Sequence, residues 1–381
     1  MKRVLYLAPY DFNKFGGGAQ AVRAYMDSVL DIFGKERVDV MTGSEFKMLP
    51  EYEDLNFILV QRRLKIRSYF DLMLGNLERW IKPIKKHLSK NKDRYDLVII
   101  NGGKMGVVVP FIKKLGINVV TIHHNEEIEY CMDNKNVYTF WGRYDYLVRR
   151  AQGIAYKYSD INVFLTTQDK NLLHSIYGEN DKENVVLGVY DYKSAPIVSP
   201  FSKPNDYHIG ISGSLVNYQT THGIMDIKNN YWDIIMELIP DLRLLLTGRS
   251  PSEEIIDFAN SKKDNIIIVP SPQDILAVIQ KASIYLCPTD IGGGLKLRAM
   301  DGLKSGMPIL VHQVSARGYD MFIGKPYFRV YNDRETFRKG LSDLISYVED
   351  LDLVNRKKIS EEFYAFFGYQ SGTTRMRNLL K

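Results

Sequence analysis

Several absences narrow the reading of this 381-residue chain before any motif is considered. Cysteine occurs only twice, as Cys131 and Cys287. Two thiols that far apart neither staple a small secreted domain nor show metal-ligand spacing, so a reducing compartment is expected and a disulfide framework is not. No uninterrupted apolar run reaches the roughly 18 residues a spanning helix needs, so the chain is expected to be soluble or peripheral to a membrane. The apolar stretch before Asp11 is only about five residues, too short for a signal-peptide core, and reads as a first strand. There is no zinc-finger spacing, no arginine-rich tail and no G-x-G-x-x-G, which argues against a nucleic-acid partner and against a dinucleotide fingerprint. Charge is nearly balanced: 51 Lys+Arg against 45 Asp+Glu leave +6, a mild excess suited to an anionic ligand or surface.

What is present points to two α/β domains. At roughly 150 residues per domain the length suggests two, and 45% hydrophobic with 25% charged residues can bury ordinary cores. Apolar, β-branched runs at Val4 to Ala8, Asp96 to Asn101, Asn118 to Ile122, Ile161 to Leu165, Tyr207 to Ser212 and Leu242 to Thr247 alternate with helical patterns, as in parallel sheets. Ser194 to Asp206 carries Pro196, Pro200 and Pro204 among Ser and Lys and reads as a linker. The expected division is 1–195, 196–362, and a terminal helix over 363–381.

The stretch most dense in chemistry is Pro288 to Pro308, PTDIGGGLKLRAMDGLKSGMP. A strand, Ile284 to Cys287, leads into Gly292, Gly293 and Gly294, then into a helical pattern of Leu295, Ala299, Met300 and Leu303 that Gly306 and Pro308 stop. A strand, a glycine turn and a helix start make an anion site: the glycines admit a ligand to the backbone, and the first amides of a helix are unpaired. Lys296 and Arg298 add positive charge where a helix prefers carboxylates, and Asp301 is placed to accept hydrogen bonds from sugar hydroxyls. The plainer alternative is a surface turn with solvated cations. Three glycines, two cations and a carboxylate within ten residues favour the ligand site. Gly16, Gly17 and Gly18 form a second strand–glycine–helix turn in the first half, and tight packing alone would also explain it.

These residues resemble the donor-binding motif of retaining glycosyltransferases of family 4, which have the GT-B architecture of two Rossmann-like domains facing across a cleft, with a C-terminal helix returning to the first domain. One branch of that family carries the triple glycine, a following Lys and an acid heading a small-residue helix. Here the acid is Asp301 in place of Glu, and Gly293 stands where other members have a first glutamate. Gly17-Gly18-Ala19 matches the family's Gly-Gly-Ala loop, and His124-Asn125-Glu126-Glu127 matches its strand-end His motif. Gly213-Ser214 falls where many members place Arg, His222 where they place Lys, and Ser271 near the backbone that meets the nucleobase.

The resemblance implies a metal-independent hexosyltransferase that needs no cofactor beyond its nucleotide-diphosphate sugar substrate. His124, Lys296 and Arg249 would be catalytic. The donor would touch Gly17, Gly18, Gly213, Ser214, Arg249, Ser271, Gly293, Gly294, Leu295, Lys296, Arg298 and Asp301. Arg249 is the candidate to replace the missing cation, since guanidinium suits phosphate. The acceptor would be a glycan or a lipid-linked sugar, in bacterial surface polysaccharide synthesis. The region 62–94, with eleven Lys and Arg, three acids and Trp80, suits an anionic membrane surface or equally a solvated helix face over the core. The expected place is therefore the cytoplasm, peripheral at the inner face of the plasma membrane. The alternative function is a nucleotide-sugar-binding protein that has lost catalysis, motivated by Gly293, Asp301, Ser214 and His222. An epimerase of the same architecture would need Glu126 or Glu127 as a deprotonating carboxylate.

Overall fold

The computed structural model describes residues 3–8, 17–45, 49–61, 79–125, 127, 143–200 and 206–381. They fall into two compact units, Met1–Ala195 with Tyr369–Lys381, and Pro196–Gly368.

The first unit holds strands β1 (Val4–Leu7), β2 (Val38–Gly43), β3 (Asn56–Val60), β4 (Leu97–Asn101), β5 (Asn118–His123), β6 (Ile161–Phe164) and β7 (Glu183–Val186). All pair in parallel, in the order β3-β2-β1-β4-β5-β6-β7. Its helices are α1 (Gly17–Phe33), α2 (Ile81–Lys90), α3 (Val109–Lys114), α4 (Arg143–Tyr158) and α5 (Thr167–Tyr177). The central strands β1 and β4 are buried at every position, which is why they read as unbroken apolar runs: helices cover both faces of a parallel sheet.

The second unit holds β8 (Tyr207–Ser214), β9 (Leu244–Arg249), β10 (Ile266–Pro270), β11 (Ala282–Cys287), β12 (Ile309–His312) and β13 (Phe328–Tyr331). They too are parallel, in the order β10-β9-β8-β11-β12-β13. Helices α6 (Tyr218–Asp226), α7 (Trp232–Leu238), α8 (Glu253–Ser261), α9 (Ile275–Ile279), α10 (Arg298–Lys304), α11 (Arg334–Glu349) and α12 (Leu353–Phe367) surround the sheet. Alternate residues of each strand serve opposite faces. Ile284 and Leu286 join Ile224, Phe258 and Leu341 on one side. Tyr285 and Cys287 join Met300, Leu303 and Phe363 on the other. Each such side chain, fully buried, contributes roughly 1.5–3 kcal/mol.

Both sheets run in the Rossmann order, and in both the chain reverses direction across the sheet beside its first strand, between β1 and β4 and between β8 and β11. Helices leave those two strands toward opposite faces, so a crevice opens at their carboxyl ends.

Two expectations shift. The helix after the triple glycine begins at Arg298, not at Leu295. The terminal helix expected from Phe363 onward is two helices, because Gly368 is extended (φ −68°, ψ 152°) between α12 and α13 (Tyr369–Leu380). α13 lies in the first unit, along α1: Ser28 Oγ meets Thr373 Oγ1 at 2.7 Å, and Tyr369 donates to Asp31 at 2.8 Å. Gly372 permits this, since a Cβ there would sit 2.0 Å from the Tyr190 ring. Asp352 caps α12, accepting from the Asn355 amide at 2.7 Å.

Candidate active site

The second sheet brings most of the sequence-selected residues to one edge. Ser214 ends β8 and Arg249 ends β9, and the two are paired in register, with Gly213 opposite Gly248. The glycines are structural necessities: a Cβ on Gly248 (φ +141°) would lie 1.7 Å from the Gly213 carbonyl. Arg249 is exposed at this edge. Next to it, Ser271 follows β10, and its amide donates to the Gly248 carbonyl at 2.7 Å. Its N–H is therefore taken. Ser250 (φ 49°) and Ser271 (φ 47°) are the two non-glycine residues with left-handed backbone among the described residues. Strain of this kind, of order 1–3 kcal/mol each, concentrates at functional sites.

On the other side of β8, β11 delivers Pro288 to Leu297 to the same edge. Gly292 (φ +92°) and Gly294 (φ +73°) turn the chain back on itself. Lys296 folds over this turn and donates from Nζ to the Gly293 carbonyl at 3.1 Å. Among the described residues, the amides of Gly293, Gly294 and Leu295 donate to no backbone carbonyl, although Gly294 is buried. Amides that no backbone carbonyl accepts are what an anionic ligand would satisfy. The turn is braced from behind. Ser315 donates to the Thr289 carbonyl at 2.6 Å, and Tyr319 to that of Lys296 at 2.8 Å. Cys287 beneath it is inert, its thiol pushed up to about 11 by burial.

The delayed start of α10 changes the role of its charges. Ala299 and Met300 donate to the carbonyls of Lys296 and Leu297 at 3.2 and 3.0 Å, so those first-turn amides are not open to a ligand. Arg298 and Asp301 are not two independent contacts either, since Nη1 of Arg298 lies 3.2 Å from Oδ2 of Asp301, one turn on. Arg298 is thus held in place by Asp301.

His222, noted in the sequence only as a departure, has a defined partner. Its Nδ1 lies 2.9 Å from Oδ1 of Asp290, just before the glycine turn. That contact joins residues 68 positions apart and no local pattern signals it.

In the first unit, Gly17 opens α1, and Gly18 has open space where a Cβ would stand. His124 follows β5 at the carboxyl end of that sheet, its ring edge-on to Tyr25 at 6.4 Å. Burial, and then the neighbouring His123, push its imidazole down to about 4, so at neutral pH it is an uncharged hydrogen-bonding group. His123 is wholly buried, stacked on Phe164 and bonded to Asn162 at 3.1 Å. Gln152 of α4 pins the following loop, donating to the Asn125 carbonyl and accepting from the Glu127 amide. Glu127 is buried and ion-paired with Lys104 at 3.3 Å, which withdraws it as the free base an epimerase would need; Glu126 lies outside the described residues.

Of the basic region, 62–78 lies outside the described residues. In the rest, Trp80 is 2% exposed and packs with Ile81, Ile84 and Leu88 into the core, so it is no interfacial anchor; Lys86 and Lys90 form a solvated helix face. No helix among the described residues is long and apolar enough to cross a membrane, and no group of His, Cys, Asp and Glu there could hold a metal ion.

No protein-family model matches the chain. An uncharacterised 44.6 kDa protein in the cps region of Klebsiella pneumoniae is 24% identical over 333 residues, 82% of this chain and 80% of that protein. Sucrose-phosphate synthase from Thermosynechococcus elongatus superposes with a TM-score of 0.72 at 13% identity, covering 100% of this chain and 98% of that one. Anabaena HepE in complex with UDP-glucose superposes at 0.67 and 12% identity, covering 100% and 99%. With two parallel sheets of seven and six strands, the chain has the two-domain GT-B fold of these solved structures.

Proposed function

We propose that this protein is a glycosyltransferase that takes a sugar from a nucleotide-diphosphate donor and passes it, with retention of configuration and without a metal, to a glycan or lipid-linked acceptor. The observation that carries the proposal is the edge of the second sheet, where Ser214, Arg249 and the Lys296-covered glycine turn stand around one switch point. UDP-glucose in the similarly folded HepE supports a uridine nucleotide as the first donor to test. The cps region that holds the Klebsiella relative supports a place in surface polysaccharide synthesis, and the site of action we propose is the cytoplasm.

The chemistry is electrostatic and positional. The bond between the anomeric carbon and the diphosphate oxygen breaks, and its electron pair goes to the phosphate. Lys296, Arg298, Arg249 and the amides of Gly293 and Gly294 stabilise that charge. The acceptor hydroxyl attacks the face the diphosphate leaves and gives its proton to a phosphate oxygen. Asp301 accepts from ribose with the oxygen that Arg298 leaves, and its bond to Arg298 keeps the guanidinium toward the phosphates. Acceptor recognition is assigned to the first unit, at Gly18 and His124.

A thermal-shift screen of nucleoside diphosphates tests the donor site. A ligand at a hundredfold excess over Kd adds roughly 2.7 kcal/mol, so the matching base should raise the melting temperature clearly. No shift with uridine, guanosine, adenosine or thymidine diphosphate would overturn the proposal. The internal Arg298–Asp301 pair favours one second reading, a nucleotide-sugar-binding protein without turnover. Slow hydrolysis of the donor in the absence of acceptor separates the two, since the binding protein would bind and not hydrolyse.

A further inference from the structure

We propose that α13 is a working part of the first unit's site: through Tyr190 and Tyr25 it sets where the His124 imidazole stands, and Tyr25 is the positioning residue that makes the contact. The inference rests on the transferase reading above and adds to it residues that touch no substrate.

The contacts run unbroken from helix to imidazole. Tyr25 is wholly buried on α1, two helical turns beyond Gly18 and so on the same face. Its ring meets that of His124 in a T-shaped pair, centroids 6.4 Å apart and planes at 62°. Two supports hold the Tyr25 ring. Its hydroxyl donates to the Gly188 carbonyl at 2.6 Å, and Tyr190 packs against it with centroids 5.4 Å apart at 75°. α13 reaches both supports. Tyr190 Oη lies 2.8 Å from Ser28 Oγ, which lies 2.7 Å from Thr373 Oγ1 of α13, and the Tyr190 ring covers Gly372. Arg375 donates from Nε to the Leu187 carbonyl, next to Gly188, at 3.4 Å, with its guanidinium 6.0 Å from the centroid of the Tyr190 ring. Ser28, Tyr190 and Thr373 are all buried. An apolar seam alone would dock a helix; a chain of three hydroxyls also fixes the orientation of the ring it ends on. A close-packed interior passes a displacement on instead of absorbing it. His124, held neutral by burial, acts through the direction of a hydrogen bond, and direction is what such a buttress controls.

The test is release of UDP from UDP-glucose without added acceptor, read as kcat and KM. If the thermal screen selects another base, the glucose diphosphate of that base is used. Tyr25→Leu should lower kcat roughly 10- to 100-fold, the cost of misplacing a reacting group by about an ångström. KM for the donor should stay within about twofold, because donor binding is assigned to the second unit. Tyr25→Phe keeps the ring and should recover most of the loss. Thr373→Val, on α13, should lower kcat in the same direction by a smaller factor. In a His124→Gln background both effects should vanish, because the residue they act through is gone. The imidazole 15N resonances of His124 should also move in Thr373→Val, although Ser28, Tyr190 and Tyr25 stand between the two residues. That measurement decides the matter where His124→Gln has no measurable turnover or Tyr25→Leu does not fold. Unchanged kcat in Tyr25→Leu, a fall undiminished in the His124→Gln background, or an unmoved His124 resonance in Thr373→Val overturns the inference and leaves the donor reading intact. A wild type that releases no nucleotide from any nucleotide sugar overturns the transferase reading itself, and this inference with it.

Discussion

Lys296→Met is the sharpest perturbation of the proposed chemistry. The Lys296 ammonium donates to the Gly293 carbonyl three residues back, at the glycine turn. A hydrogen bond from a charged group is worth about 1.5–3 kcal/mol. If Lys296 holds the leaving diphosphate, losing it should lower kcat/KM by that much, roughly 10- to 150-fold at 1.36 kcal/mol per decade. The fold itself should suffer little. The lost bond is local and partly solvated, about 1 kcal/mol, and methionine keeps the aliphatic stem. Turnover is measured as nucleoside diphosphate released from the nucleotide sugar, beside a melting curve for each variant, with Lys262→Met as a remote surface control. If Lys296→Met melts like the wild type and keeps kcat/KM within about twofold, the argument from charge at the glycine turn fails, because a lost charge-assisted contact cannot cost so little.

Two further outcomes concern stability. Burial pushes His123 down to about 4, offset only in part by Asn162, so the folded first unit binds this proton less readily than the unfolded chain, whose histidine titrates near 6.5. The sign follows: stability is full above about pH 6.5 and is lost as pH falls toward 4, by an amount on the order of 3 kcal/mol. Urea unfolding at both ends of that window should show it, and His123→Gln should flatten the slope; an unchanged slope in that variant would assign the acid sensitivity elsewhere. Gly372→Ala should destabilise the docking of α13 by about 1–3 kcal/mol, because the new methyl meets the Tyr190 ring. Hydrogen exchange at Thr373 and Met376, both buried, should rise, and unaltered protection there would show that the helix accommodates the methyl.

Much of the second unit was legible because parallel strands announce themselves. Ile284 to Cys287 and Leu244 to Thr247 are apolar on both faces, and glycines mark the turns that follow. The start of α10 was misplaced for a physical reason. Leu295 and Leu297 recur at helical spacing with Ala299 and Met300, but they pack against the core from an irregular turn. The pairing of Arg298 with Asp301 was readable in principle, since residues three apart share a helix face; without the helix boundary that rule had no anchor. Trp80 had two outlets, lipid or core, and burial decided it. The contacts between Ser214 and Arg249 and between His222 and Asp290 depend on which strands are neighbours, and strand order is not written in any single window of sequence.

The docking of α13 makes the first unit discontinuous in the chain: its closing helix is synthesised after the whole of the second unit. During translation the second unit has its complete sequence before the first does. The nascent first unit must wait with Tyr190 uncovered, and a chain broken off before Tyr369 would have its second unit whole and its first unit incomplete.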